Sequence, residues 1–264
     1  MDWQQISFEV QKSEVDLISE VLMGLGSLSI TFKDAQGNDI YEPPVGTMPL
    51  WEKVTVAALF SSEMSKDSVE KTILEICDIN ISDATSLKDK VWEKECQKDF
   101  PAMQFGKKLW VCPSWDIKLE LSTGAIVIEM DPGLAFGTGI LAIAAAKLKA
   151  KSVLAIDNDP QAVIASHENA NKNHCDDVIN TIHSMDQDNS SRCDLLIANI
   201  LANPIIELEP LFSEFLKSNG TILLSGIIKD QVKEVVSCYS QNFTDIKLAN
   251  KDEWYRISAT RKFS

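Results

Sequence analysis

The chain has 264 residues, 45% of them hydrophobic, which is enough for one large or two modest domains. Its 11 Gly and 9 Pro are too few for a low-complexity or disordered composition. The formal net charge of −14 is concentrated in residues 1–85, which hold five Lys and fifteen Asp or Glu; such a module disfavours nucleic acid as a direct ligand and suits a basic partner or plain solubility.

The opening MDWQQISFEV has no basic n-region and no long apolar run, so no signal peptide is expected. No apolar stretch approaches the ~18 residues of a membrane span. A soluble, cytoplasmic protein is the expectation. Residues 3–10 then read as a strand and 13–24 as a helix, with Ser13 as N-cap and Val15, Ile18, Val21 and Leu22 near helical spacing. Residues 27–34 read as a strand, followed by a turn at Gly37-Asn38. A strand at 54–60, a helix at 65–77 and a strand near 86–91 complete the order β-α-β-β-α-β, that of a small α+β, ferredoxin-like unit over residues 1–91. Residues 92–104 read as a connecting helix and linker, polar up to Phe100 and stopped by Pro101.

From 105 to 264 the pattern alternates more regularly. Strands are predicted at 108–112, 125–130, 152–156, 178–182, 194–198 and 221–225, and helices at 140–149, 160–173, 204–217 and 229–240. Pro160 and Pro204 sit where helices would open, and Gly220 where the third would stop. Two last strands, near 243–248 and 254–260, read as an antiparallel hairpin at a sheet edge. The whole is an α/β pattern of Rossmann type.

Three features carry chemistry. The run Asp131-Pro-Gly-Leu-Ala-Phe-Gly137-Thr138-Gly139 follows a strand and enters a helix, where free N–H groups and absent side chains let a nucleotide-like cofactor approach. An ordinary glycine turn is the plainer alternative. Asp157 ends the next strand, 18 residues past Gly139, where an acid can accept both ribose hydroxyls of an adenosine cofactor. Asp159 is better placed as the N-cap of the helix opening at Pro160. Asn199 stands at the tip of another strand, where it can meet the cofactor, meet the acceptor or cap a turn. The six Cys form no C-x-x-C pair and read as reduced apolar residues; His167, His174 and His183 lack metal-ligand spacing, so no metal is expected. No nucleophile–base pair stands out and no catalytic residue is named. An NAD-dependent dehydrogenase shares the α/β pattern and the acid, but not a catalytic pair.

The segments MDWQQISFEV, SLSITFKD, PLWEKV, FGKKLWVCPSW, MDPGLAFGTG, LAIDNDPQAV and IANILANPI resemble, in order and along essentially the whole chain, the bacterial ribosomal protein L11 methyltransferases. The resemblance implies an N-terminal domain that recognises L11, a connecting helix and a Rossmann-like class I methyltransferase domain. It implies S-adenosylmethionine as methyl donor, lysine side chains and the terminal amine of L11 as acceptors, Asp157 on the ribose, and Asn199 and the glycines Gly137 and Gly139 at the cofactor. A monomer with no direct nucleic-acid contact is expected.

One departure is large. In the family, FGTG is followed by a T-H-P-T-T-like segment, a helix, a strand and a second glycine turn before ILAIAA; here Gly139 runs straight into Ile140. A piece of about one β-α unit is missing. Either the sheet lacks its central strand and the neighbours keep unpaired edges, or strand 125–130 slides into the vacant slot with Gly137 and Gly139 standing in for the lost turn. The alternative to an active enzyme is a non-catalytic remnant that binds L11 but not the cofactor.

Overall fold

The computed structural model describes residues 3–37, 40, 47, 49–64, 66–77, 79, 83–87, 100–116, 124–131, 137–187 and 192–263. By its contacts the chain divides into Met1–Glu95 and Cys96–Ser264. The expected connecting helix falls, for residues 92–99, outside the described residues, as does Asn38 of the expected turn.

In the first unit, β1 (Trp3–Gln11), α1 (Val15–Gly24), β2 (Ser29–Asp34), β3 (Lys53–Ser61), α2 (Lys66–Cys77) and β4 (Asp83–Leu87) come in the expected order. The sheet runs β2-β3-β1-β4 with every pair antiparallel, so each βαβ unit is split by a strand of the other. Period-two alternation sends Ile6, Phe8 and Val10 of β1 and Val54, Val56, Ala58 and Phe60 of β3 to one face. Val15, Ile18 and Leu22 of α1 and Val69 and Ile73 of α2 belong to the same buried cluster. Each large side chain fully buried there contributes about 1.5–3 kcal/mol. Ser13 is not the helix cap. Residues Lys12–Glu14 form a 3-10 turn, and the Glu14 carboxylate accepts the Gln11 N–H at 2.7 Å, so the helical run opens from Gln11, two residues before Ser13.

Among its described residues the second unit has three sheets. β5 (Met103–Phe105) pairs antiparallel with β6 (Leu109–Cys112), which pairs in parallel with β7 (Ile126–Glu129). β5 therefore begins inside the stretch expected to be linker. After α3 (Ile140–Lys147), β8 (Val153–Asp157) pairs in parallel with β9 (Ile179–His183), with α4 (Pro160–Lys172) as the crossover. β10 (Cys193–Asn199), α5 (Ala202–Glu207), α6 (Glu209–Phe215), β11 (Leu216–Ile228), α7 (Val232–Tyr239), β12 (Phe243–Lys251) and β13 (Trp254–Arg261) give a sheet of order β10-β11-β13-β12, closed by the expected hairpin at its edge.

The helix expected over 204–217 is two helices. Pro210 has no N–H to give to the preceding turn, so the first helix stops at Glu207 and Pro210 is instead tolerated at the start of α6. Gly220 is correspondingly not a helix stop but lies within β11. Pro204 is the third residue of α5 rather than its first.

Among the described residues no ladder joins β8 to β7 or to β10. Of the two outcomes open for the missing unit, this is the one in which the sheet lacks its central strand; β7 stays with β6. β8 keeps one open edge and exposes Leu154 (45%) and Ile156 (40%), while β10 keeps another and exposes Leu195 (46%) and Ile197 (39%).

β7 is nevertheless tied to the helices on its C-terminal side. Ile128 and Met130 pack with Ile143 of α3, Ala170 of α4, Cys175 and Ile179. Just past α4, the carboxamide of Asn173 accepts the Glu129 N–H at 2.8 Å and donates to the Glu129 carbonyl at 2.7 Å, imitating a strand partner on the edge of β7 away from β6. Lys172 adds ion pairs to Glu129 (3.0 Å) and Asp131 (2.8 Å).

Candidate cofactor site

The expected turn and acid meet. Gly137 has φ +85° and Gly139 φ +71°, both in the left-handed region that glycine enters without steric cost. Gly139 is the N-cap of α3, so the first N–H groups of that helix have no partner within it. A Cβ on Gly137 would lie 2.5 Å from Oδ2 of Asp157 and also against Cβ of Ala162, and one on Gly139 would lie 3.0 Å from Cβ of Ser166. The backbone thus touches the carboxylate and α4 directly, and only glycine allows it.

Asp157 ends β8 half-buried. Its Oδ1 accepts the Asp159 N–H at 3.0 Å, and no hydrogen bond reaches Oδ2 among the described residues. Asp159 is the N-cap it was expected to be, accepting the Gln161 N–H at 2.9 Å with Pro160 as first helical residue. Two residues that sequence reading missed hold the turn from α4: the Ser166 hydroxyl donates to the Gly137 carbonyl at 2.9 Å, and the Asn169 amide to the Thr138 carbonyl at 3.0 Å. The only signal in the sequence is that Ser166 and Asn169 fall at helical spacing on one face of α4, the face that carries Ala162 and Ala170.

Asn199 is not brought into this constellation by any bond. It ends β10, opposite Ser225 of β11, and no hydrogen bond joins it to Gly137, Gly139 or Asp157. Behind it, Gly226 (φ +86°) lies so close to Ile200 that a Cβ would meet the Ile200 carbonyl, which fixes the Asn199-Ile200-Leu201 loop to the end of β11. Among the described residues no group of His, Cys, Asp and Glu could hold a metal ion. The thiols of Cys112, Cys193 and Cys238 are all pushed up, chiefly by burial.

Strand, glycine turn, helix, then an acid at the carboxyl end of the next strand: this order is that of a Rossmann-like class I methyltransferase domain. The family model for ribosomal protein L11 methyltransferase matches residues 2–140 and 137–262. The ribosomal protein L11 methyltransferase of Haemophilus influenzae (strain PittEE) is 36% identical over 296 residues, covering 99% of each chain, and that of Shewanella sp. (strain W3-18-1) is 37% identical over 295 residues, covering 99% of this chain and 100% of its own. A solved structure, ribosomal protein L11 methylase from Lactobacillus delbrueckii subsp. bulgaricus, superposes with a TM-score of 0.57 at 28% identity, over 62% of this chain and 100% of the other. The chain belongs to the ribosomal protein L11 methyltransferase family. Its alignments are longer than its own 264 residues, and the two family matches overlap at 137–140; a block of the relatives' sequence is therefore missing at the Gly137–Ile140 turn.

Proposed function

We propose that this chain is a methyltransferase that uses S-adenosylmethionine to methylate lysine side chains and the terminal amine of ribosomal protein L11. Asp157 would accept the ribose hydroxyls, with Oδ2 without a hydrogen bond among the described residues and Oδ1 steadied by Asp159. The Gly137–Gly139 turn and the first N–H groups of α3 would pass beneath the cofactor, and Asn199 would approach it from β10. The cofactor, when bound, supplies an electrophilic methyl group on a sulfonium. Transfer then depends mainly on aligning an unprotonated amine with it at about 3–3.5 Å. No described side chain is assigned as the base. The acidic residues 1–85 suit a basic protein substrate, and the protein is read as a cytoplasmic monomer without direct nucleic-acid contact. No helix among the described residues is long and apolar enough to cross a membrane.

The observation that carries this reading is the close approach of a bare glycine turn to the Asp157 carboxylate, whose Oδ2 takes no hydrogen bond among the described residues. Calorimetric titration with S-adenosylmethionine tests it: a binding isotherm that Asp157→Ala abolishes is expected, and absence of any heat or thermal shift overturns it. A second reading is favoured by the missing block and the open edges of β8 and β10. In that reading the chain still binds L11 but carries no methyl donor. Incubation with L11 and labelled donor separates the two, since label on L11 requires the first and L11 binding without label requires the second.

A further inference from the structure

His183 lies beside the cofactor corner but outside the roles assigned above. It ends β9 as the ladder partner of Asp157. Its Nε2 is 3.0 Å from the carbonyl oxygen of Asn158, and its Nδ1 is 3.2 Å from the backbone nitrogen of Met185. A carbonyl can only accept and a backbone N–H can only donate, so Nε2 carries the proton and Nδ1 is bare. The ring therefore ties the loop after β8 to the 3-10 turn Ser184–Asp186 after β9.

The bond to Asn158 matters because of what lies on the other side of the same peptide. The Asn158 carbonyl and the Asp159 N–H belong to one planar unit and point in opposite directions. That N–H is the donor to Oδ1 of Asp157. By holding the carbonyl, His183 fixes the plane whose N–H holds the carboxylate. Rotating the plane would remove the donor from Oδ1 and leave the carboxyl held only by its packing against Gly137.

We infer that His183 is a positioning residue for the Asp157 carboxylate, acting through the Asn158–Asp159 peptide. The inference rests on the reading of Asp157 as the ribose ligand only for its functional consequence; its structural core is independent of any cofactor. Two substitutions divide the ring's contacts. His183→Gln keeps a donor at the reach of Nε2, and His183→Asn keeps an acceptor at the place of Nδ1 but is too short to reach Asn158.

The test uses the full chain without cofactor, reading hydrogen exchange at the Asp159 amide, and then titrates S-adenosylmethionine. A single hydrogen bond of ordinary net strength corresponds to about a tenfold effect. His183→Asn is expected to speed Asp159 exchange by about that factor and to weaken cofactor binding by a similar one, while His183→Gln stays close to wild type in both. A purely structural histidine would affect both variants alike. Unchanged Asp159 exchange in His183→Asn, or equal acceleration in both variants, overturns the inference. A wild-type protein that binds no cofactor would overturn the ribose reading of Asp157, and the exchange rates would still decide the role of His183.

Discussion

Replacing Asn173 by alanine strips the outer edge of β7 of both its partners at Glu129. In the parallel ladder with β6, the Ile126 and Met130 N–H groups point toward β6, bonding Lys108 and Cys112, so those of the odd-numbered residues point away. The Glu129 N–H and carbonyl have the Asn173 carboxamide on that side, at 2.8 and 2.7 Å. Asn173 is 3% exposed, so water does not readily replace it. The Asn169 carbonyl, the third group bonded by this side chain, keeps the Asn173 backbone N–H and is not orphaned. Two backbone groups left unsatisfied at about 1–3 kcal/mol each give a loss of roughly 2–4 kcal/mol, allowing for partial relaxation. That lowers the melting temperature of the transition that contains β7 by at least several degrees. Urea unfolding followed by near-ultraviolet circular dichroism measures it, with Asn173→Asp as the control that keeps the acceptor for the N–H and loses the donor. A loss below about 1 kcal/mol in Asn173→Ala would refute the claim that this amide serves as a strand partner.

Gly137→Ala combines a left-handed backbone with a Cβ driven into Oδ2 of Asp157 and Ala162, and should destabilise by about 1–3 kcal/mol, seen as a drop in thermal midpoint, while reducing any cofactor binding. Tyr239→Phe removes the donor to the buried Ile205 carbonyl (2.8 Å) and should cost about 1–2 kcal/mol in urea unfolding; the phenol is pushed far above its usual range by burial and by Glu209, so it remains a donor throughout the accessible pH range. Asp131 sits below the usual carboxylate range: burial acts to raise it, but hydrogen bonds from Lys172 and Ser114 outweigh this. Lys172 is raised by its hydrogen bond to Asp131, with Glu129 assisting, against the opposing effect of burial. A lowered acid stabilises the fold above its unfolded value of about 3.9 and loses that as pH falls through its folded value; a raised base stabilises below about 10.4 and loses that as pH rises through its own. The cluster should therefore contribute fully between about pH 4 and 10, and the small stability gap between wild type and Lys172→Met, measured by urea titration, should close on either side.

Most elements were legible because their periodicity is local. Alternation along Lys53–Ser61 and helical spacing along Val15–Gly24 each report a buried face from a few consecutive residues. Asp159 and Pro160 announced the start of α4 for the same reason. The helix break at Leu208 was hidden because apolar spacing continues through 204–217 and outweighed Pro210. The glycine turn and Asp157 could be paired from strand-turn-helix order alone. The residues that hold the pair in place could not. Ser166 reaches Gly137 across 29 positions and Asn173 reaches Glu129 across 44, and a polar residue in a helix ordinarily signals solvent. Which strand takes which neighbour is likewise a tertiary outcome, so the choice of β7 between β6 and the vacant slot lay beyond the reading of order and spacing.

Among the described residues of the C-terminal unit, no backbone ladder joins two hydrophobic clusters. One is centred on Ile128, Ile143 and Ile179, and the other on Ile222, Leu224, Tyr239 and Ile257. In an unbroken sheet, opening one half would tear ladder bonds in the other and force them to melt together. With no such ladder the two clusters are coupled by side-chain packing alone, so calorimetry should show a broadened or split transition, and the part containing Gly137 and Asp157 should be the one that a bound adenosine moves to higher temperature.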